Sequence, residues 1–144
     1  MPIVVVANPK GDVGKSTLST NIAGYYASRG HAVMLGDVDR QQSSKLWLGI
    51  RPVAARPITN WEIDAHAIAK PPKGTTHVVL DTPAGLHGKR LNDAVKMANH
   101  IVVPLQPSVL TFLPPAPFWT RCWRANTPTR RSLRWSACGW MRDT

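Results

Sequence analysis

The apolar positions of this chain fall in short runs separated by polar turns. Ile3-Val4-Val5-Val6-Ala7 is continuous and rich in β-branched residues, which reads as a strand buried on both faces. A turn rich in glycine follows at 9–14. Over 15–29 the spacing becomes helical and gathers Leu18, Ile22, Ala23, Tyr26 and Ala27 on one side, with Gly30 placed to stop the helix. Ala32 to Leu35 reads as a second buried strand ending at Gly36-Asp37. Residues 42–48 suit a short helix carrying Leu46 and Trp47. Residues 51–59, with two prolines, suit a loop or a short edge segment.

The stretch from Trp61 to Ala69 reads as a helix with Ile63 and Ile68 inward, stopped by Pro71-Pro72. His77 to Leu80 is a third strand leading into Asp81. A helix from Leu91 to Ala98 places Leu91, Ala94, Val95 and Ala98 on one side. Ile101-Val102-Val103 is a fourth strand, ended by Pro104. Alternation of this kind predicts an α/β fold: a mostly parallel sheet with helices on both faces, in three α/β/α layers. Ligands of such sheets sit beyond the carboxyl ends of the strands. Here those ends are the glycine-rich turn, Asp37, Asp81 and Pro104-Leu105-Gln106.

Composition divides the chain in two. Of its 144 residues, 18 are Lys or Arg and 8 are Asp or Glu, a net charge of +10. Residues 1–110 carry 12 of those bases and 7 of the acids. The last 34 residues carry six Arg and one acid, Asp143, so a quarter of the chain holds half the excess charge. That segment also contains Trp119, Trp123, Trp135 and Trp140, both Phe and both Cys, and no Val, Ile or Glu. Residues 111–136 follow neither a helical nor a strand period, and Pro114, Pro115, Pro117 and Pro128 interrupt any regular element there. We therefore divide the chain into a partial α/β core, 1–109, and an irregular basic tail, 110–144. The abrupt switch reads as out-of-frame translation of the tail. A contact for nucleic acid or an anionic membrane through interleaved Arg and Trp is the rival reading.

No apolar stretch is long enough to span a membrane, and no basic region precedes the first apolar run, so neither a transmembrane helix nor a signal peptide is expected. The cysteines, Cys122 and Cys138, suggest neither a disulfide framework nor a metal site, so a reducing cytoplasm is the default compartment. The five histidines show no ligand spacing.

The candidate chemistry lies in Lys10-Gly11-Asp12-Val13-Gly14-Lys15-Ser16-Thr17, between a buried strand and an amphipathic helix. Successive backbone N–H groups in such a bend form an anion nest, and the following helix aims its positive end into it. Lys15 is placed to reach outer phosphates and the Ser16 hydroxyl to ligate Mg²⁺.

This segment resembles the deviant Walker A motif of the ParA/MinD family of P-loop ATPases, and within it the ParA-type partition proteins. Gly36-Asp37-Val38-Asp39-Arg40-Gln41-Gln42-Ser43-Ser44 is similar to the family's first switch segment. Leu80-Asp81-Thr82-Pro83-Ala84-Gly85 is similar to its Walker B and second switch segment, and Val103 to Ser108 to the strand end that follows. The resemblance spans residues 1 to about 109.

It implies an Mg²⁺-dependent ATPase acting in plasmid or chromosome segregation. ATP and Mg²⁺ would be the cofactors. The partners would be a second copy of the chain in the ATP state, non-specific DNA and a ParB-like protein, in the cytoplasm on the nucleoid and without a membrane. Residues 10–17 would bind nucleotide. Lys15 would hold the β- and γ-phosphates, Lys10 would reach the partner protomer's nucleotide, and Asp39 would position the attacking water. Ser16, Asp37 and Asp81 would hold Mg²⁺ or its water shell. Alternatives are a MinD-like positioning ATPase, whose C-terminal amphipathic helix has no counterpart here, and a truncated nucleotide- or nucleic-acid-binding remnant without turnover. An iron–sulfur reductase of the same superfamily would need cysteines in the body, and 1–110 has none.

Two departures stand out. The tail lacks the helices and strands with which the family completes its sheet, so the sheet is expected to be incomplete on its C-terminal side. Asp12 occupies the place of a motif glycine. In the left-handed region a side chain costs about 1–2 kcal/mol. A carboxylate ~4 Å from a phosphate charge, at an effective dielectric of ~20, is unfavourable by roughly 4 kcal/mol. Asp12 is therefore expected to weaken nucleotide binding or dimerisation.

Overall fold

The fold is a computed structural model that describes residues 1–62 and 73–105, Phe118, Thr120 and Cys122, and the backbone of 132–137. Six strands, β1 (Ile3–Val6), β2 (Val33–Asp37), β3 (Ile58–Trp61), β4 (His77–Asp81), β5 (His100–Leu105) and β6 (Ser132–Ala137), form one sheet in the order β3-β2-β4-β1-β5-β6. Every pairing in it is parallel. Among the described residues the helices α1 (Lys15–Ser28), α2 (Ser43–Gly49) and α3 (Gly88–Met97) accompany the strands.

Successive residues of a strand face opposite sides of a sheet, so a strand covered on both faces must be apolar throughout. All four residues of β1 are buried accordingly. Ile3 and Val5 join one core cluster with Val78, Leu80, Leu91, Ala94 and Val95, so α3 covers that face. Val6 joins the other with Val79, Leu35, Ala23 and Ala27, and Leu18, Ile22, Tyr26, Trp47 and Leu48 pack against it, so α1 and α2 cover the second face. The three layers are those expected. Gly30, at φ 86°, ends α1 as the sequence predicts, its N–H donating to the Ala27 carbonyl at 2.9 Å.

Several boundaries differ from the sequence reading. Trp61 ends β3 and is buried in the core rather than opening a helix, because pairing with Gly36 of β2 places it beneath the sheet's covered face. The rest of that expected helix, 63–69, lies outside the described residues, as does Gln106. Pro104 does not end the fourth strand. β5 continues through it to Leu105, and the carbonyl of Pro104 is still available as an acceptor, since proline lacks only the N–H. Within the segment expected to hold no regular element, 132–137 forms β6 along β5, from His100↔Ser132 to Leu105↔Ala137. Phe118 and Cys122 of the same segment belong to the α3-side core. Burial pushes the Cys122 thiol up to about 11, so it stays protonated as a small apolar filler.

Candidate functional site

The connection from β1 leads towards β2, and that from β4 leads the opposite way to β5, which opens a crevice at the carboxyl ends of these neighbouring strands. The register fixes what lines it. Asp81 of β4 pairs with Val6 of β1 on one side and Asp37 of β2 on the other.

The bend after β1 is sharply folded. Asp12 has φ 55° and Gly14 φ 80°, while Val13 between them is not in the positive range. Such alternation turns successive N–H groups to one side and makes an anion-binding concavity. A β-carbon on Gly14 would meet nothing within 4 Å. Gly14 is also the N-cap of α1, with no side-chain cap and no acidic residue in the first turn. The positive end of a 14-residue helix is thus left to whatever occupies the bend.

Lys15 is 8% exposed, and its ammonium donates to the Lys10 carbonyl at 2.6 Å. Burial lowers its pKa from the ordinary lysine value, against the pull of the Asp81, Asp39 and Asp12 carboxylates. Lys10 enters the described geometry through its main chain: its N–H bonds Asn8 and its carbonyl holds Lys15.

Asp81 is 1% exposed, and burial raises its pKa. Hydrogen bonds from Ser16, Ser44 and Ser19 oppose the shift, while the Asp37 charge adds to it. The Ser44 hydroxyl lies 2.6 Å from one carboxylate oxygen and that of Ser19 3.3 Å from the other. The hydroxyl of Ser16 is close enough to favour the charged form of Asp81, so two of the residues expected at a metal share one corner of the crevice, and hydroxyl and carboxylate oxygens are the hard donors Mg²⁺ takes.

Asp37 is occupied differently. One oxygen accepts the Asp39 N–H at 2.9 Å; the other accepts the Ser44 N–H at 2.8 Å and the Lys45 N–H at 3.3 Å. It caps α2 from the end of β2. Asp39, half-buried, accepts the Gln41 N–H at 3.1 Å. Thr17 is exposed on the first turn of α1, and Val13 is buried behind the bend. Among the described residues no three His, Cys, Asp or Glu side chains converge on one point, so no all-protein metal cage exists there.

Loops from three strands are tied together around this bend. The Gly85 N–H donates to the Pro9 carbonyl at 2.8 Å, and the Val38 N–H to the Asp81 carbonyl at 3.2 Å. The Thr82 hydroxyl donates to the Val6 carbonyl at 2.8 Å. Arg90, on the first turn of α3, reaches the Val38 carbonyl at 3.4 Å. The sequence reading gave no role to Asn8, Ser19, Ser44 or Thr82, although Ser44 and Thr82 lie inside two of the segments it compared. Asn8 leaves a weaker local sign, a turn-forming amide two residues before Lys10 at the end of an apolar run.

Comparison with known proteins identifies the family and the fold. Residues 4–115 match the model of the CobQ/CobB/MinD/ParA nucleotide binding domain. Over 110 residues the chain is 32% identical to the maintenance of carboxysome distribution protein A of Gloeobacter kilaueensis, covering 75% of this chain and 50% of that protein. Over 113 residues it is 27% identical to protein ParA of Rhizobium radiobacter, covering 76% and 51%. The chain thus spans about half the length of these curated relatives.

Among solved structures, cobyrinic acid a,c-diamide synthase of Mycobacterium smegmatis, with bound ADP and magnesium, superposes with a TM-score of 0.70 at 18% identity, over 94% of this chain and 72% of that one. A chain of the MinC:MinD cell division protein complex of Aquifex aeolicus gives 0.59 at 18% identity, over 87% of this chain and 62% of that one. Among the described residues no helix is long and apolar enough to cross a membrane. Fold, bend and sequence converge, and the chain belongs to the CobQ/CobB/MinD/ParA family of nucleotide-binding domains.

Proposed function

We propose that this chain binds Mg²⁺·ATP in the bend after β1 and works as a ParA-type ATPase in DNA segregation, dimerising and associating with DNA in its ATP state, with a ParB-like protein as partner. The observation that carries the reading is the buried Lys15 ammonium at the head of an uncapped helix, beside a Ser16–Asp81 pair at the carboxyl edge of the sheet. A bend of alternating φ and an inward ammonium suit a polyphosphate, and the oxygen donors suit Mg²⁺.

Mg²⁺·ATP would supply a phosphoanhydride activated for transfer to water. The N–H groups of the bend and of the first turn of α1 would hold its phosphates. Lys15 would neutralise charge on the outer phosphates, and Ser16, Asp81 and Asp37 would orient the metal's ligand shell. Asp39 would position water, and Lys10 would extend to the nucleotide of a second protomer. The likeness to a carboxysome-distribution protein favours, as a second reading, the positioning of a protein cargo rather than DNA by the same ATPase.

Equilibrium binding of a fluorescent ATP analogue to the native chain, with and without Mg²⁺, tests the reading. Saturable, Mg²⁺-dependent binding is expected, weakened at least about a hundredfold by Lys15→Ala. Equal binding by the two proteins overturns it. ATP-dependent dimerisation and salt-sensitive association with duplex DNA, both read by sedimentation, separate segregation from the second reading.

A further inference from the structure

Asn8 lies at the carboxyl end of β1 and is 1% exposed. An amide so deeply buried must satisfy both its donor and its acceptor. Its Nδ2 donates to the Pro104 carbonyl at 2.8 Å, and its Oδ1 accepts the Lys10 N–H at 2.8 Å. The Lys10 carbonyl in turn receives the Lys15 ammonium at 2.6 Å. One unbroken chain of hydrogen bonds therefore runs from the end of β5, through a buried side chain and one backbone residue, to the lysine of the bend.

The chemistry of the two partners restricts what can stand at this position. The Pro104 carbonyl only accepts and the Lys10 N–H only donates, so the residue between them must do both at once. A carboxylate has no proton for Pro104, and an alkyl group serves neither. Lys10 is thus gripped on its N–H side by Asn8 and on its carbonyl side by Lys15. Without the first grip its carbonyl is free to swing, and the ammonium it holds swings with it.

We propose that Asn8 is a positioning residue of the phosphate loop: it fixes where the Lys15 ammonium is held and couples that position to the carboxyl end of β5. The functional part of this inference rests on reading the bend as a nucleotide site; the placement of Lys15 does not.

A control exists at the other end of the same strand, where Asn99 is exposed. The Asn99 Oδ1 accepts the Ile3 N–H at 2.8 Å, also across 96 positions of sequence, and the Asn99 N–H donates to the Ile3 carbonyl at 2.8 Å. Asn99→Ala removes a similar amide contact from β1 but leaves the bend alone.

The experiment compares native chain, Asn8→Ala, Asn8→Ser and Asn99→Ala. The first readout is the rate at which an amine-acylating reagent labels Lys15 without nucleotide, mapped by peptide mass. The second is affinity for the fluorescent ATP analogue with Mg²⁺. Lys15 is expected to label several-fold faster in both Asn8 variants, and their affinity to fall roughly ten- to hundredfold. Asn99→Ala, although it melts earlier, is expected to match the native chain in both. The serine variant, whose shorter hydroxyl cannot span from the Pro104 carbonyl to the Lys10 N–H, carries the comparison if the alanine variant does not fold. Lys15 labelling in the Asn8 variants no faster than in Asn99→Ala overturns the proposal, whether or not the chain binds nucleotide. Faster labelling in a chain whose native form binds no nucleotide sustains the positioning of Lys15 and counts against the nucleotide reading alone.

Discussion

Ser44 holds Asp81 from the far side of the crevice: its hydroxyl donates to the carboxylate at 2.6 Å, while its own N–H is held by Asp37 at 2.8 Å. One residue of α2 thereby bridges the carboxylates at the ends of β2 and β4, which are themselves paired in register. The start of α2 is latched to the end of β4 through this serine.

Ser44→Ala should destabilise the fold by about 1–2 kcal/mol, since one buried carboxylate oxygen loses its closest donor while Ser16 and Ser19 remain. The sign with pH follows from Asp81. Its folded pKa lies above the ordinary 3.8, so its contribution is full below that value and is lost as pH rises through the folded one. Removing a donor to the charged form raises the folded value further. The Ser44→Ala deficit is therefore expected to be small near about pH 3.5 and larger near about pH 7, read by urea melts at each pH.

Asp37→Ala should cost about 1–2 kcal/mol, because the side chain caps three N–H groups and α2 has no side-chain cap at Gln42. Asp37→Asn keeps one acceptor for the Ser44 and Lys45 N–H groups but faces the Asp39 N–H with an amide NH2, so it should recover only part of that stability. If Asp37 also orients the metal's waters, the asparagine variant will melt above the alanine variant yet lose Mg²⁺ dependence of nucleotide binding. Native Mg²⁺ dependence in Asp37→Asn leaves capping as its whole role.

Asp12 holds the left-handed φ of 55° that the motif comparison implied. Relieving a side chain there is worth about 1–2 kcal/mol, and the chain entropy of glycine takes back about 0.5–1. Asp12→Gly should therefore change stability by less than about 1 kcal/mol. Its effect on ATP affinity should be larger and favourable, because a carboxylate leaves the phosphate loop. Calorimetric titration with Mg²⁺·ATP measures it, and unchanged affinity counts against a role for Asp12 in weakening the site.

At the opposite edge of the sheet, His77 stacks between Tyr26 and His31, with ring centroids 4.4 and 4.0 Å away. Burial, the His31 imidazole and the N-terminal ammonium lower its pKa from 6.5. The folded form thus resists protonation more than the unfolded form does. Stability is expected to rise as pH climbs through the folded pKa and to level off above 6.5. Replacing His77 by Gln should flatten that rise in thermal melts, and an unaltered slope would place its origin in other groups.

Much of the molecule is legible in the order of residues. A continuous apolar run such as Ile3 to Ala7 must be buried on both faces. A glycine-rich turn between it and a helical repeat must bend where the helix begins. Asp37 and Asp81 mark strand ends because a carboxylate closing a buried run needs the hydrogen-bond donors that the loops beyond the strand can supply. These are local facts, set by burial, backbone freedom and period.

The tertiary structure decided the rest, because it depends on which strands become neighbours. Pairing Asp37 with Asp81 brings Ser44 within reach of both, although Ser44 and Asp81 lie 37 residues apart. Running β5 beside β1 gives Asn8 the Pro104 carbonyl 96 residues away. Laying 132–137 along β5 makes a strand in a segment whose composition shows none, because the hydrogen-bonding edge of a neighbouring strand can impose extended backbone where local propensity does not. Sequence placed the charges at the rim of the sheet; only the pairing of strands from distant parts of the chain determined which of them hold one another.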